Sequence, residues 1–152
     1  GDDNAANSLM EYILIDNINY VCVDLFEYTS VDVQYLYGEG ENYVCAGDVA
    51  MMLYDLHTDY FSSIGSEFMN SYFYIDDSSG DMGMVRAIPS DYAVLDHNAV
   101  RSDLYNEAMI VMGEDAYYFV VIMSQNGDPQ EAADAMAEAA ELIHRDLAAP
   151  LE

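Results

Sequence analysis

Lysine is absent from this chain. Its 152 residues carry 29 aspartates and glutamates against three arginines, for a formal net charge of −26. A polyanion of that strength repels nucleic acid and anionic membranes, so neither is expected as a partner. Acidic, lysine-poor composition accompanies salt adaptation and also deliberate charge engineering; ten Met and fourteen Tyr lend the first little support. Long apolar runs are missing as well, since none approaches the roughly 20 residues that a membrane-spanning helix needs. The chain opens Gly1-Asp2-Asp3-Asn4, without the basic and apolar segments of a signal peptide, so no leader is expected in it. Cysteine is scarce. Cys22 and Cys45, each closing an Asn-Tyr-Val-Cys tetrapeptide, read as buried free thiols, with a disulfide open to them in an oxidising compartment. No Gly-rich phosphate loop, Cys/His zinc spacing or Gly-x-Ser-x-Gly elbow occurs, and no cofactor or metal is expected.

What is present is a domain-sized apolar complement, 53% of the residues, which argues against disorder despite the charge. Its clearest organisation runs from Tyr92 to Leu147. Tyr92–Leu95, Glu107–Met112 and Tyr117–Met123 read as strands, the last two joined by the short turn Gly113–Ala116. Asp128 then offers an N-cap, Pro129 suits the first helical position, and Glu131 follows three residues after the cap. Ala132, Met136, Ala139, Ala140, Ile143 and Leu147 form an apolar stripe at helical period, with Glu131, Asp134, Glu138 and Glu141 opposite. The stripe is expected to pack across the sheet, since neither element can bury its apolar face alone.

The first half reads as helices. One ends near Ile13, with Ala5, Ala6, Leu9, Met10 and Ile13 on a common face. A second runs from Asp16 with Ile18, Val21, Cys22 and Leu25 inward. A third covers about 47–57 with Val49, Met52, Leu53 and Leu56 inward, and a fourth runs from Ser63 or Gly65 to Tyr74. Thr29–Tyr43, broken by Gly38 and Gly40, reads as an extended loop. The expected fold is therefore α/β of the α+β type. A three-stranded antiparallel sheet is covered by a long C-terminal helix, beside a lobe of about four short helices. One domain spans 1–152, its helical lobe about 1–85 and its sheet with closing helix about 86–148.

Three stretches in this order resemble the class A β-lactamase and penicillin-recognising serine hydrolase family. Leu9-Met10 through Ile15-Asp16-Asn17 to Leu25 is similar to that family's helix, Ser-Asp-Asn, helix passage. Asn42–Leu56, with Asp48-Val49-Ala50 inside, is similar to its Thr-Thr, Asp-Met-Ala helix entry. Ile88-Pro89 through Met123 is similar to its Leu-Pro, strand, Lys-Thr-Gly, strand, strand block, with Tyr105–Val111 matching an Asn-Asp-Ala-Gly-Ile-Val strand. The resemblance implies a serine acyl-transfer chemistry and an extracellular or envelope location. The nucleophilic Ser belongs to Ser-x-x-Lys, a second Ser relays a proton, and the Lys of Lys-Thr-Gly attracts a carboxylate.

The departures from that pattern fall on the chemistry. Without lysine there is no Ser-x-x-Lys. Ile15 stands at the Ser-Asp-Asn serine, leaving Asp16 and Asn17 as matches, and an isoleucine has no proton to relay. His97-Asn98-Ala99 stands at Lys-Thr-Gly. The family's preceding outer strands and nucleophile helix find no match, nor does its Glu-bearing loop, although Glu39 and Glu41 lie in the corresponding region. By the same resemblance Val100 supplies an oxyanion N–H and Arg101 is the cation placed to meet an anionic ligand. The chain is expected to be catalytically inactive alone: a pseudoenzyme, a binding or assembly module, or a fragment needing a complementing half. The edge of Tyr117–Met123 is expected to be covered by a second chain, a dimer mate or a further segment.

The remaining polar residues read more plainly. His97 with Asp96 and Asn17 forms a candidate acid–base group, set against a strand-end histidine in a solvated cleft. His57 and His144 sit at helix ends as structural residues. Asp76, Asp77, Ser78 and Asp81 fail the calcium-loop spacing and read as a solvated turn. Arg86 reads as a half-buried ion-pair partner. Tyr12, Tyr20, Tyr54, Tyr72, Tyr117 and Tyr118 read mostly as core or core-edge residues.

Overall fold

A computed structural model describes residues 3–36, 38–58, 82–114 and 117–148. The expected helix at 63–74, Tyr72 and the Asp76–Asp81 turn lie outside the described residues. The chain divides into two compact units, Gly1–Met52 and Leu53–Glu152. Among the described residues no helix is long and apolar enough to cross a membrane.

In the first unit α1 (Asp3–Ile13) is followed by α2 (Ile15–Asn19), which runs on into a π-helical turn at Tyr20–Leu25. The wider winding shows in the Phe26 N–H, which donates to the Val21 carbonyl five residues back, at 3.1 Å. It corrects the expected stripe: Ile18 and Cys22 are half-buried, whereas Val21 and Leu25 turn out to solvent. A register of five residues per bond rotates later side chains away from the 3.6-residue face. The α1 stripe is amphipathic as expected, yet Leu9 and Ile13 remain exposed, because amphipathicity does not supply a covering layer. Residues 29–36 and 38–43 are non-helical and tied by side chains. Asn19 donates to the Val33 carbonyl at 2.7 Å and accepts from its N–H at 2.9 Å. The Asn42 carboxamide oxygen accepts from the Gln34 and Tyr35 N–H groups, and Asp32 bridges Tyr43 through their backbones. The α3 helix (Ala46–Thr58) starts with Asp48 accepting from both the N–H and the hydroxyl of Ser30.

The second unit is built on β1 (Ala93–Arg101), β2 (Leu104–Met112) and β3 (Tyr117–Met123), antiparallel in the order β1-β2-β3. Period-two alternation gives the sheet two apolar faces. On one face Leu95 and Ile110 pack with Leu53 of α3, flanked by Ala108, Phe119 and Val121. On the other, Tyr105, Met109, Val111, Tyr118 and Val120 meet Ala133, Met136 and Ala140 of α4 (Pro129–Leu147). Asp128 caps α4 as expected, its carboxylate accepting from the Gln130 and Glu131 N–H groups at 2.8 and 3.0 Å. The buried stripe is turned slightly from the expected one. Ala133, Ala137 and His144 join it, while Leu147 is exposed. A 3-10 turn (Met84–Ala87) packs on the same face, fastened to α4 by Arg86 to Asp134 at 2.6 Å.

Burial revises several expected residues. Tyr118 is core, but Tyr12, Tyr20, Tyr54 and Tyr117 are exposed, as the amphipathic character of the ring permits. Cys22 and Cys45 are free thiols; the expected burial fails at Cys45, which is exposed just before α3. His57, in the last turn of α3, packs tilted against the Tyr117 ring and edge-on to Phe119. His144 is buried with Nδ1 2.9 Å from the Tyr118 hydroxyl and the Tyr92 ring edge-on, consistent with structural roles for both histidines.

Candidate functional site

The expected site residues lie in both units, and each group is best seen on its own element. In the first unit the link between α1 and α2 is Leu14, held at φ 74° and ψ 135°, outside the regions comfortable for a side-chain-bearing residue. Its carbonyl accepts from the Asn17 and Ile18 N–H groups, which starts α2 at once. Ile15 is half-buried, while Asp16 and Asn17 are exposed. The Asn17 amide turns back to donate to the Ile13 carbonyl at 2.8 Å. An open cavity of about 450 Å³ is lined by Met10, Glu11, Leu14, Ile15, Asp16 and Leu36. Its wall at Ile15 is apolar, and Asp16 is its nearest acceptor along the chain.

In the second unit His97-Asn98-Ala99 sits inside β1 rather than at its end. The ladder carries the strand past its apolar start, pairing His97 with Ala108, Asn98 with Glu107 and Val100 with Tyr105. Alternation separates the motif. His97 and Ala99 share a face with Leu95, whereas Asp96 and Asn98 point to the α4 face. The expected acid–base pairing of His97 with Asp96 is thereby corrected, because successive strand residues project to opposite sides. Desolvation pulls the His97 pKa below its ordinary value, so the imidazole is neutral at neutral pH. Val100 and Arg101 are exposed at the far end of β1. Among the described residues no group of three or more His, Cys, Asp or Glu side chains comes together to hold a metal.

Asp96 instead belongs to a buried polar cluster that sequence reasoning does not single out. Tyr105, Glu107, Met109 and Val111 alternate onto the α4 face of β2, which puts a carboxylate among core residues; that alternation is the signal. Glu107 is 1% exposed and Tyr105 fully buried. The Glu107 carboxylate accepts from the Met84 N–H at 2.7 Å, with Val85 N–H at 3.4 Å. The chain comes this close because residue 83 is glycine. Its φ is 76°, and a Cβ there would collide with the Glu107 carboxylate and the Tyr105 hydroxyl. Burial, then the charge of Glu107, pushes the Asp96 carboxyl up to about 8. Burial raises Glu107 too, opposed by the Met84 N–H. Asp96 Oδ1 and the Tyr105 hydroxyl are buried without hydrogen-bond partners.

Comparison with known proteins agrees with this architecture. No relative among curated proteins matches the chain. Among solved structures, a β-lactamase from Francisella tularensis superposes with TM-score 0.79 at 16% identity, covering 96% of this chain and 61% of its own. A class A β-lactamase from Bacteroides cellulosilyticus gives 0.78 at 16%, covering 97% and 59%. A β-lactamase from Burkholderia ambifaria gives 0.77 at 14%, covering 99% and 62%. At such identities the likeness is one of fold, and the chain spans about three-fifths of the length of these structures. A sequence profile of the Beta-lactamase enzyme family, however, matches residues 1–147, nearly end to end. The order of helices, antiparallel sheet and closing helix agrees with that match, and the chain belongs to the β-lactamase enzyme family.

Proposed function

We propose that this chain is a non-catalytic member of its family, a pseudoenzyme part that binds or assembles rather than hydrolyses. One observation carries the reading: with no lysine, the chain has neither the Ser-x-x-Lys pair nor the lysine that His97 replaces. Acyl transfer needs an activated nucleophile, a group to move its proton and an anchor for the developing oxyanion. Here the relay position is Ile15, which has no exchangeable proton. The anchor position is His97, an exposed imidazole whose pKa lies on the low side of its ordinary value and which is therefore a poor attractor of carboxylate at neutral pH. The Val100 N–H and Arg101 remain as candidate anion contacts. Nucleic acid and anionic membranes are excluded from the proposed partners by the net charge of −26. The proposed location is extracellular or at the cell envelope, as the family suggests.

A second reading is favoured by length and by the sheet. The chain spans 61% of the Francisella structure, and β3 pairs only with β2 among the described residues. In this reading a complementing N-terminal portion supplies the nucleophile and pairs with the free edge of Tyr117–Met123. Incubation with a fluorescent penicillin, followed by intact mass and nitrocefin turnover, separates the two. The first reading expects no adduct with or without a co-expressed N-terminal half. An adduct formed only with that half overturns the first reading and supports the second. Labelling of the chain alone overturns both.

A further inference from the structure

The Asp96–Glu107 cluster has no role in acyl transfer, and its charge balance is unusual. Two carboxyl groups from adjacent strands lie on the core face of the sheet, diagonal to one another across the Asp96–Met109 and Asn98–Glu107 pairs. Buried carboxylates ordinarily come with a buried cation. This chain has three arginines and no lysine. Arg86, whose charge is felt at Tyr105, is paired with Asp134, Arg145 leans on Asp146, and Arg101 lies exposed at the end of β1. The residues outside the described set contain no lysine, arginine or histidine.

The other groups around the pair do not supply a charge either. From β2 comes the Tyr105 hydroxyl, itself held neutral by burial. From the 3-10 turn come the Met84 and Val85 N–H groups, which donate to Glu107 alone. From α4 come Asp134, engaged with Arg86, and His144, engaged with Tyr118. Two carboxylates are both acceptors, so the unpartnered Asp96 Oδ1 is what an acceptor among acceptors looks like before its proton is counted.

We propose that Asp96 and Glu107 share one proton at neutral pH and form an acid-set clasp, which holds the Gly83–Ala87 turn on the sheet and releases it in mild alkali. With the proton in place Asp96 is the donor and Glu107 the acceptor, and the single remaining charge is met by the Met84 N–H. When the proton leaves, two like charges face each other in the core. The element that gives way is then the short turn that Glu107 holds, whose remaining ties are the Met84 side chain in the core and Arg86 to Asp134. The clasp stands on packing and charge count and is independent of the hydrolase reading.

Carboxyl-carbon NMR on the chain, titrated from mild acid to mild alkali, tests it directly. The expected result is one side-chain carboxyl that titrates with a midpoint at about 8 and vanishes from the spectrum of Asp96→Asn. Amide exchange adds the mechanical half. Protection of Met84 and Val85, corrected for intrinsic rates, should fall at least about tenfold through that midpoint in the wild type and stay level in the variant. Both carboxyls ionised by mildly acidic pH would overturn the shared proton. Equal protection profiles in wild type and variant would overturn the clasp. Should Asp96→Asn fail to fold, the wild-type titration alone still decides.

Discussion

Replacing Asp96 by asparagine should make the protein more stable, and increasingly so as pH rises. The amide is nearly the shape of the acid and offers Glu107 an N–H without taking up a proton. In the wild type the carboxyl pKa rises from an ordinary 3.8 to about 8 on folding. Between those values the folded chain keeps a proton that the unfolded chain releases. Stability therefore falls with pH through that window, by about 1.4 kcal/mol per pH unit, and levels off above about 8. The whole span corresponds to roughly 5 kcal/mol, an upper figure because an ionised core relaxes and admits water. The variant loses this dependence. Urea unfolding followed by circular dichroism at about pH 4, 6 and 8 should give a variant-minus-wild-type difference near zero in acid, growing to about 2–5 kcal/mol in alkali. Self-repulsion among the 29 acidic residues changes with pH as well, but it is common to both proteins and cancels in the difference. A difference that stays constant with pH would refute the reasoning, as would a variant weaker than wild type at pH 8.

Gly83→Ala should cost about 2–4 kcal/mol in the same urea assay, since it combines a positive φ with a methyl group driven into Glu107 and Tyr105. Tyr118→Phe leaves the buried His144 Nδ1 without its 2.9 Å partner and should cost about 1–3 kcal/mol, whereas Arg86→Ala, which breaks a half-exposed ion pair, should cost about 1 kcal/mol or less. Cys45, exposed and with its Sγ accepting from the Asp48 N–H at 3.4 Å, should react with a disulfide reagent before Cys22, whose thiol is pushed up by burial.

The C-terminal half is legible in the sequence because its signals are local. Asp128 and Pro129 announce α4, and the aromatic and β-branched run of Tyr117–Met123 announces β3. β1 is under-read for a physical reason. Beyond Leu95 it carries Asp-His-Asn, and its strand form comes from pairing with β2 rather than from its own side chains. The π-helical turn at Tyr20–Leu25 has no comparable local signature, so a 3.6-residue count sends Val21 and Leu25 to the wrong side. In α1 the apolar stripe is plain, but periodicity reports which face a helix could bury, not whether another layer covers it. At the candidate site, Ile15-Asp16-Asn17 and His97-Asn98-Ala99 are legible only through resemblance, since neither forms a mechanism by itself. Glu107 is on the core face by simple alternation. That Asp96 is the acid meeting it depends on strand register, which no single strand reveals.

Among the described residues β3 pairs on one side only, with β2, and that has a consequence for handling the protein. A strand edge with no neighbouring strand is a template for any strand that arrives, and a second copy carries the same edge. Mutual repulsion at −26 each opposes the approach of two copies in dilute buffer. That restraint reaches about 10 Å at 0.1 M salt and shrinks to about 3 Å at 1 M. Concentrated salt, which usually keeps acidic proteins content, should here be the condition that lets the sheets grow into one another.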